Sequence, residues 1–92
     1  MIKSFGNKET EKLWKKVFVA KFQKIAEVAY RKLKILNNAT RLEDLNFPSN
    51  RFRKMEGKWT GYHRIWINDQ YRIIFQWGQD NHSYQVEIID YH

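Results

Sequence analysis

The chain has 92 residues, 16% of them aromatic, and 17 Lys+Arg against 10 Asp+Glu give a formal net charge of +7. That length is read as one domain over residues 1–92, burying roughly 60–65% of its unfolded surface, and the aromatic content is that of a folded core, not of a disordered chain. The absence of Cys excludes a disulfide framework, a thiolate nucleophile and a Cys-based zinc site. His63, His82 and His92 lie too far apart for a short metal-ligand motif, so neither a metal site nor a cofactor is expected. No run approaches the ~18–20 apolar residues of a membrane span, and the mean hydropathy is −0.76. The first five residues lack the apolar stretch of a secretion signal. The expectation is a soluble, cytoplasmic protein with no membrane partner. Its positive charge suits a polyanion, nucleic acid before an acidic protein.

That charge is unevenly spread. Residues 1–56 carry 14 Lys+Arg and 6 Asp+Glu, whereas residues 57–92 carry 3 and 4. In chain order, residues 2–5 alternate and predict a short edge strand. Asn7 is a good N-cap, with Glu9 and Glu11 in the first turns where the helix dipole favours them. Leu13, Trp14, Val17 and Phe18 follow at helical spacing. Phe22, Ile25, Ala26, Ala29, Tyr30, Leu33 and Leu36 then form the clearest amphipathic stripe in the chain, ended by Asn37-Asn38. Thr40-Arg41-Leu42-Glu43 has capping-box form and predicts one short turn before Pro48. Beyond Pro48 the period becomes two, predicting strands over residues 51–56, 62–67, 71–77 and 84–91. Gly57 and Gly61, Asn68-Asp69 and the 78–81 segment supply the turns, and such short connections make neighbouring strands antiparallel. The fold class is α+β: an N-terminal strand and two helices packed on a mainly antiparallel sheet of four to five strands.

Four groups of residues are chemically suggestive. Lys15, Lys16, Lys21 and Lys24 belong to a lopsidedly basic helical segment that is either a solvated face or an RNA-backbone surface. Arg51, Arg53, Lys54 and Lys58 form a second basic group, read either as edge-strand protection or as a phosphate-facing ridge. In residues 71–77 the odd positions are apolar, so Arg72 shares the other face with Ile74 and Gln76. An Arg in a central strand needs a partner or an anion. Asp90, Tyr91 and His92 end the sequence on three side chains that handle protons, and the α-carboxylate of His92 would favour its imidazolium. A cation, a base and a proton donor suffice for metal-free RNA cleavage, which needs a ribose 2′-OH deprotonated, a crowded phosphate stabilised and a leaving 5′-oxygen protonated.

Three stretches resemble the HigB (plasmid maintenance killer) branch of the RelE-like toxin superfamily: Asn37 to Leu45 continuing through Pro48-Ser49-Asn50-Arg51; Gly57 and Gly61 followed by Ile65-x-Ile67-Asn68-Asp69-Gln70-x-Arg72-Ile73; and Val86 to His92. The resemblance implies a RelE-like fold and a ribosome-dependent messenger-RNA endonuclease that cuts by 2′-OH attack. It also implies neutralisation by a helix-turn-helix (HigA-like) antitoxin. Arg72 corresponds to the phosphate-contacting arginine of that branch, and Asp90, Tyr91 and His92 to its terminal catalytic group. Where the branch commonly has Leu-Lys-Gly-Asp, this chain has Met55-Glu56-Gly57-Lys58. Glu56 therefore stands in place of a lysine: either Lys54 or Lys58 supplies the cation, or Glu56 is itself a base. The alternative is a non-catalytic module of the same fold that binds RNA or the antitoxin as a co-repressor.

Overall fold

A computed structural model describes residues 1–91; His92, one of the candidate site residues, lies outside the described residues. Two helices, α1 (Lys8–Trp14) and α2 (Ala26–Asn38), precede four strands: β1 (Arg53–Lys54), β2 (His63–Trp66), β3 (Tyr71–Trp77) and β4 (Ser83–Asp90). The strands form one antiparallel meander in the order β1-β2-β3-β4. The α+β reading with β3 inside the sheet therefore holds. No helix among the described residues is long and apolar enough to cross a membrane.

Asn7 caps α1 as its sequence predicts, its side chain accepting from the Thr10 amide at 2.9 Å. The helix then stops four residues short of the expected Phe18. Lys16 turns left-handed (φ 62°), and the Val17 amide closes back onto the Lys12 carbonyl at 2.8 Å. The following Val17-Phe18-Val19 contains two β-branched residues, which lose χ1 freedom in a helix, and it leaves Val17 51% and Phe18 72% exposed. Phe22 and Ile25 are buried as the apolar stripe requires, but they precede α2, with Ala20–Phe22 forming a separate 3₁₀ turn.

The N-terminal strand is reduced to two parallel bridges on the outer edge of β4, Ile2 with Ser83 and Phe5 with Val86. A left-handed Gln85 (φ 53°) between them interrupts a continuous ladder. The capping-box turn forms at Leu42–Leu45, but the reaching carboxylate is Asp44 in place of Glu43: it accepts from the amides of Thr40 and Arg41 at 3.0 and 3.1 Å. These bonds, the Thr40 amide first, hold the Asp44 carboxyl below the usual carboxylate range. The strand expected over residues 51–56 shrinks to Arg53–Lys54, because Pro48–Asn50 is a 3₁₀ turn and Arg51 is left-handed (φ 44°). Gly57 and Gly61 adopt φ of 66° and 95°, which non-glycine side chains rarely tolerate, and so return the chain to pair Met55 with Tyr62.

One face of the sheet carries Ile65, Ile67, Ile73, Phe75, Val86 and Ile88, all packed in a single cluster with Leu13, Phe22, Ala29, Leu33 and Leu36 of the helical layer. His63 shares that face, ring-stacked between Phe52 at 5.5 Å and Phe75 at 5.7 Å, where burial and then Lys54 hold its pKa below the ordinary value. A polar tie crosses from the helical layer to the loop before β1. Lys32, only 3% exposed, donates from Nζ to the Ser49 carbonyl at 2.9 Å and to Asn50 Oδ1 at 2.8 Å. Asn50 Nδ2 in turn donates to the Leu45 carbonyl at 3.0 Å. Burial lowers the proton affinity of Lys32, and neighbouring Arg31 lowers it further.

Lys32→Met strips both acceptors of their buried donor and should cost about 1–3 kcal/mol in chemical denaturation. It should also loosen residues 46–51, seen as faster amide hydrogen exchange in that loop than in β3.

Candidate functional site

Strand alternation places the opposite face of the sheet under different chemistry. With Ile65 and Ile67 turned towards the helices, Arg64 and Trp66 point the other way, as does Arg72 between Ile73 and Tyr71. Register then assembles them. Trp66 faces Arg72 across β2 and β3, and Arg53 faces Arg64 across β1 and β2. With Arg51, which the loop before β1 lays over the Trp66 ring, four guanidiniums and an indole from three strands and one loop thus share one surface.

The centre of this surface is Tyr91. The guanidinium carbons of Arg64 and Arg72 each lie 5.1 Å from its ring centroid. Its amide donates to the Gln70 carbonyl at 2.7 Å, which fixes the end of β4 against the β2–β3 turn. That turn is built by Asn68, whose side-chain oxygen accepts from the amides of Gln70 and Tyr71 at 2.9 and 2.7 Å. Arg72 is anchored there too, donating from Nη1 to the Asn68 carbonyl and, at 3.1 Å, to the Tyr71 carbonyl. Burial, then the Arg64 charge, lowers the Arg72 pKa, yet a guanidinium stays charged at any physiological pH. Its remaining donors are therefore a fixed cation on a half-buried strand. Asp90 accepts from Gln70 Nε2 at 3.1 Å on the same strand end.

Two recesses meet at Arg53 and Arg64. The larger, an open depression of about 590 Å³, is lined by Phe47, Phe52, Trp66, Arg51 and Arg72 in addition to those two. Arg51 lies over the Trp66 ring with its guanidinium carbon 4.1 Å from the centroid. The smaller holds Lys54, Glu56, Trp59 and Tyr91. Arg51, Arg53, Lys54, Glu56, Arg72 and Tyr91 are therefore brought together, with Asp90 at the adjoining strand end. Lys58 is exposed, 5.6 Å from the Trp59 ring.

The helical lysines are not part of this cluster. Lys21 and Lys24 line a third recess with Asn68, Gln70 and Tyr71, on the far side of the same turn. Lys15 pairs with Glu11 at 3.3 Å, and Lys16 lies over Tyr30. The salt bridges among the described residues, which also include Lys21–Glu9 and Arg41–Asp44, all lie away from the four arginines. Arg64 and Trp66 also lie on this surface, and the sequence pattern around Arg72 does not by itself single them out. The alternation in His63-Arg64-Ile65-Trp66-Ile67 nevertheless carries the same signal. Chemically, the arrangement offers dense fixed positive charge, flat aromatic surfaces, a phenol ring against two cations, and one carboxylate, Glu56, at the rim.

Residues 3–92 match the HigB-like toxin family, RelE-like toxins of the type II toxin-antitoxin system HigB. Toxin HigB-1 of Vibrio cholerae serotype O1 is 46% identical over 54 residues, covering 58% of this chain; the chain spans 57% of that relative's length. Among solved structures, a YoeB–YefM complex from Staphylococcus aureus superposes with a TM-score of 0.63 at 18% identity, over 100% of this chain and 98% of that one. A YoeB dimer from the same organism gives 0.61 at 20% identity, over 99% and 94%. The fold is therefore that of the RelE-like toxins.

If the four guanidiniums act as one anion surface, Arg64→Ala should flatten the salt dependence of binding to a short single-stranded RNA. The slope of log K against log salt should fall by roughly 0.7, because one phosphate fewer is neutralised on binding. Arg41→Ala, which removes a charge already paired with Asp44, should leave the slope unchanged in the same filter-binding titration.

Proposed function

The chain belongs to the HigB-like, RelE-like toxins of type II toxin-antitoxin systems, and from that membership we propose that it is an endoribonuclease that cuts messenger RNA on the ribosome and so blocks translation. The observation that carries this reading is the pair of guanidiniums, Arg64 and Arg72, each 5.1 Å from the ring centre of Tyr91. A scissile phosphate seated there meets two forked donors at its non-bridging oxygens, where charge accumulates in the transition state.

In this reading the 2′-oxygen attacks the adjacent phosphorus, the bond to the 5′-oxygen breaks, and a 2′,3′-cyclic phosphate and a 5′-hydroxyl result. The 2′-OH proton passes to a carboxylate, for which Glu56, which lines the same recess as Tyr91, is the first candidate and Asp90 the second. The leaving 5′-oxygen takes its proton from Tyr91 or from His92. Arg51, Arg53 and Lys54 hold the flanking backbone, with Lys58 next to them. Lys21 and Lys24 extend the positive surface past the β2–β3 turn, and Lys15 and Lys16 carry it further onto the helical layer, in reach of ribosomal RNA. Residues 1–92 act as one domain, in the cytoplasm where ribosomes translate, and a helix-turn-helix antitoxin of the HigA type restrains them. The chain's own groups cover each proton transfer and the charge stabilisation, so no cofactor is invoked. The presence of Glu56 where relatives of this branch have lysine favours one second reading: a module that keeps RNA and antitoxin binding but cleaves weakly.

The two readings separate in a reconstituted translation reaction in which cut mRNA is mapped by primer extension. Arg72→Ala should lower the cleavage rate about 10²–10³-fold with an unchanged melting temperature. Glu56→Gln should lower it about 10²-fold and remove the acidic limb of the pH–rate profile if Glu56 is the base. Uncut mRNA with the wild-type chain bound to ribosomes would favour the binding module instead.

A further inference from the structure

Of the two recesses that meet at Arg53 and Arg64, Tyr91 lines the smaller and not the larger. The larger, about 590 Å³, has features that phosphate binding leaves unused. Phe47, Phe52 and Trp66 give it three aromatic walls. A phosphate gains nothing from such walls, whereas a nucleobase of single-stranded RNA stacks on them. Trp66 faces Arg72 across β2 and β3, and residues so paired hold their Cβ atoms about 4.5–5.5 Å apart. A nucleotide whose phosphate meets Arg72 therefore has a base within reach of Trp66.

The hydrogen-bonding groups of the recess point to one kind of base. Arg51 lies over the Trp66 ring, 4.1 Å from its centroid, and among the described residues its guanidinium makes no hydrogen bond or ion pair. Its backbone is fixed: the left-handed residue donates its amide to the Pro48 carbonyl at 3.2 Å, and Lys32 holds the preceding Asn50. The forked donor is thus in place before RNA arrives. Arg53, Arg64 and Arg72 likewise only donate, and the Phe47 and Pro48 carbonyls are taken by the amides of Asn50 and Arg51. The Trp66 indole N–H adds a donor that has no acceptor among the described residues. Asn46 is the one lining side chain that can accept. Donors select an edge of acceptors. Guanine has two side by side, N7 and O6, whereas adenine sets an amino group beside N7, cytosine offers an amino group, and uracil has O4 alone.

We propose that the larger recess is a guanine subsite next to the scissile phosphate. Arg51, held flat on Trp66, donates its fork to N7 and O6 of the base, and the aromatic walls take the ring faces. Arg53 and Lys54 are left to the backbone. The proposal rests on the RNA reading above and adds to it a base preference and the residues that set it.

The test uses the full chain and short 2′-O-methyl oligonucleotides, which cannot be cut by 2′-oxygen attack, in a fluorescence-anisotropy titration. The probes are an all-adenine strand and the same strand with one central guanine, inosine or 7-deazaguanine. The guanine strand should bind about tenfold more tightly than the all-adenine one, the discrimination of one bidentate arginine. Inosine, which keeps N7 and O6, should retain that preference; 7-deazaguanine, which lacks N7, should lose most of it. Arg51→Lys keeps the charge but not the fork, and should shrink the guanine-to-adenine ratio to about twofold or less. The 7-deazaguanine arm needs no variant, so it holds even if Arg51→Lys disturbs the fold. Equal affinity for all four strands, falling steeply with salt, would overturn the subsite and leave a backbone-binding surface. A guanine preference that survives Arg51→Lys or 7-deazaguanine would overturn it too. Wild-type chain that binds none of the strands also overturns the subsite, while cleavage on the ribosome judges the nuclease reading separately. A guanine preference in a chain that leaves mRNA uncut would support the subsite and sink only the nuclease reading.

Discussion

Burying one face of the β2–β4 meander is the constraint from which the site follows. Ile65, Ile67, Ile73, Phe75, Val86 and Ile88 all turn towards α1 and α2, and a strand that commits alternate positions to a core commits the positions between them to the opposite side. Slipping β2 by one residue would carry Arg64 and Trp66 into the core and expose two isoleucines. Fully burying a side chain of that size stabilises by ~1.5–3 kcal/mol, so the same packing that holds the sheet together also holds its cations in register. The site is thus built on strands and needs no loop to be ordered by substrate before Arg64 and Arg72 are in place.

Concentrating guanidiniums has an electrostatic cost. Arg64 and Arg72, both 5.1 Å from one ring centroid and so no more than about 10 Å apart, repel by at least about 1.5 kcal/mol at an effective dielectric near 20, less where salt screens them. The molecule offsets this with flat aromatic partners, Tyr91 for these two and Trp66 for Arg51, and with the carbonyl oxygens that accept from Arg72. A bound phosphate reverses the sign of the interaction. The lysine buried on the other side of the molecule serves the same end. By gripping Ser49 and Asn50, Lys32 fixes the loop that delivers Arg51 in its left-handed conformation onto Trp66.

How legible all this is from sequence depends on the range of the interaction. Local periodicity reveals β3, β4, the core stripe of α2 and the placement of Arg72, because each follows from alternation or helical spacing within a few residues. The same alternation, applied to residues 63–67, points to Arg64 and Trp66. It misleads at Val17 and Phe18, whose spacing continues a helix that Lys16 breaks with a backbone conformation that no glycine or asparagine announces. It overextends β1 for a related reason: the left-handed Arg51 is set by Pro48–Asn50 and by Lys32, 19 residues earlier in the chain. The stacking of Arg51 on Trp66, and the meeting of Glu56 with Tyr91 in one recess, are products of sheet register and lie beyond any local pattern.

The claim on which the functional reading turns is that the arginine-flanked phosphate is attacked by the neighbouring 2′-oxygen. The most direct measurement is the chemistry of the ends left on mRNA cut by this chain on the ribosome, read by mass spectrometry of the fragments. The expected ends are a 2′,3′-cyclic phosphate (or the phosphate it hydrolyses to) and a 5′-hydroxyl, with no cutting where a single 2′-deoxynucleotide replaces the residue 5′ of the scissile bond. A 3′-hydroxyl and a 5′-phosphate, or undiminished cutting at the 2′-deoxy position, would contradict it.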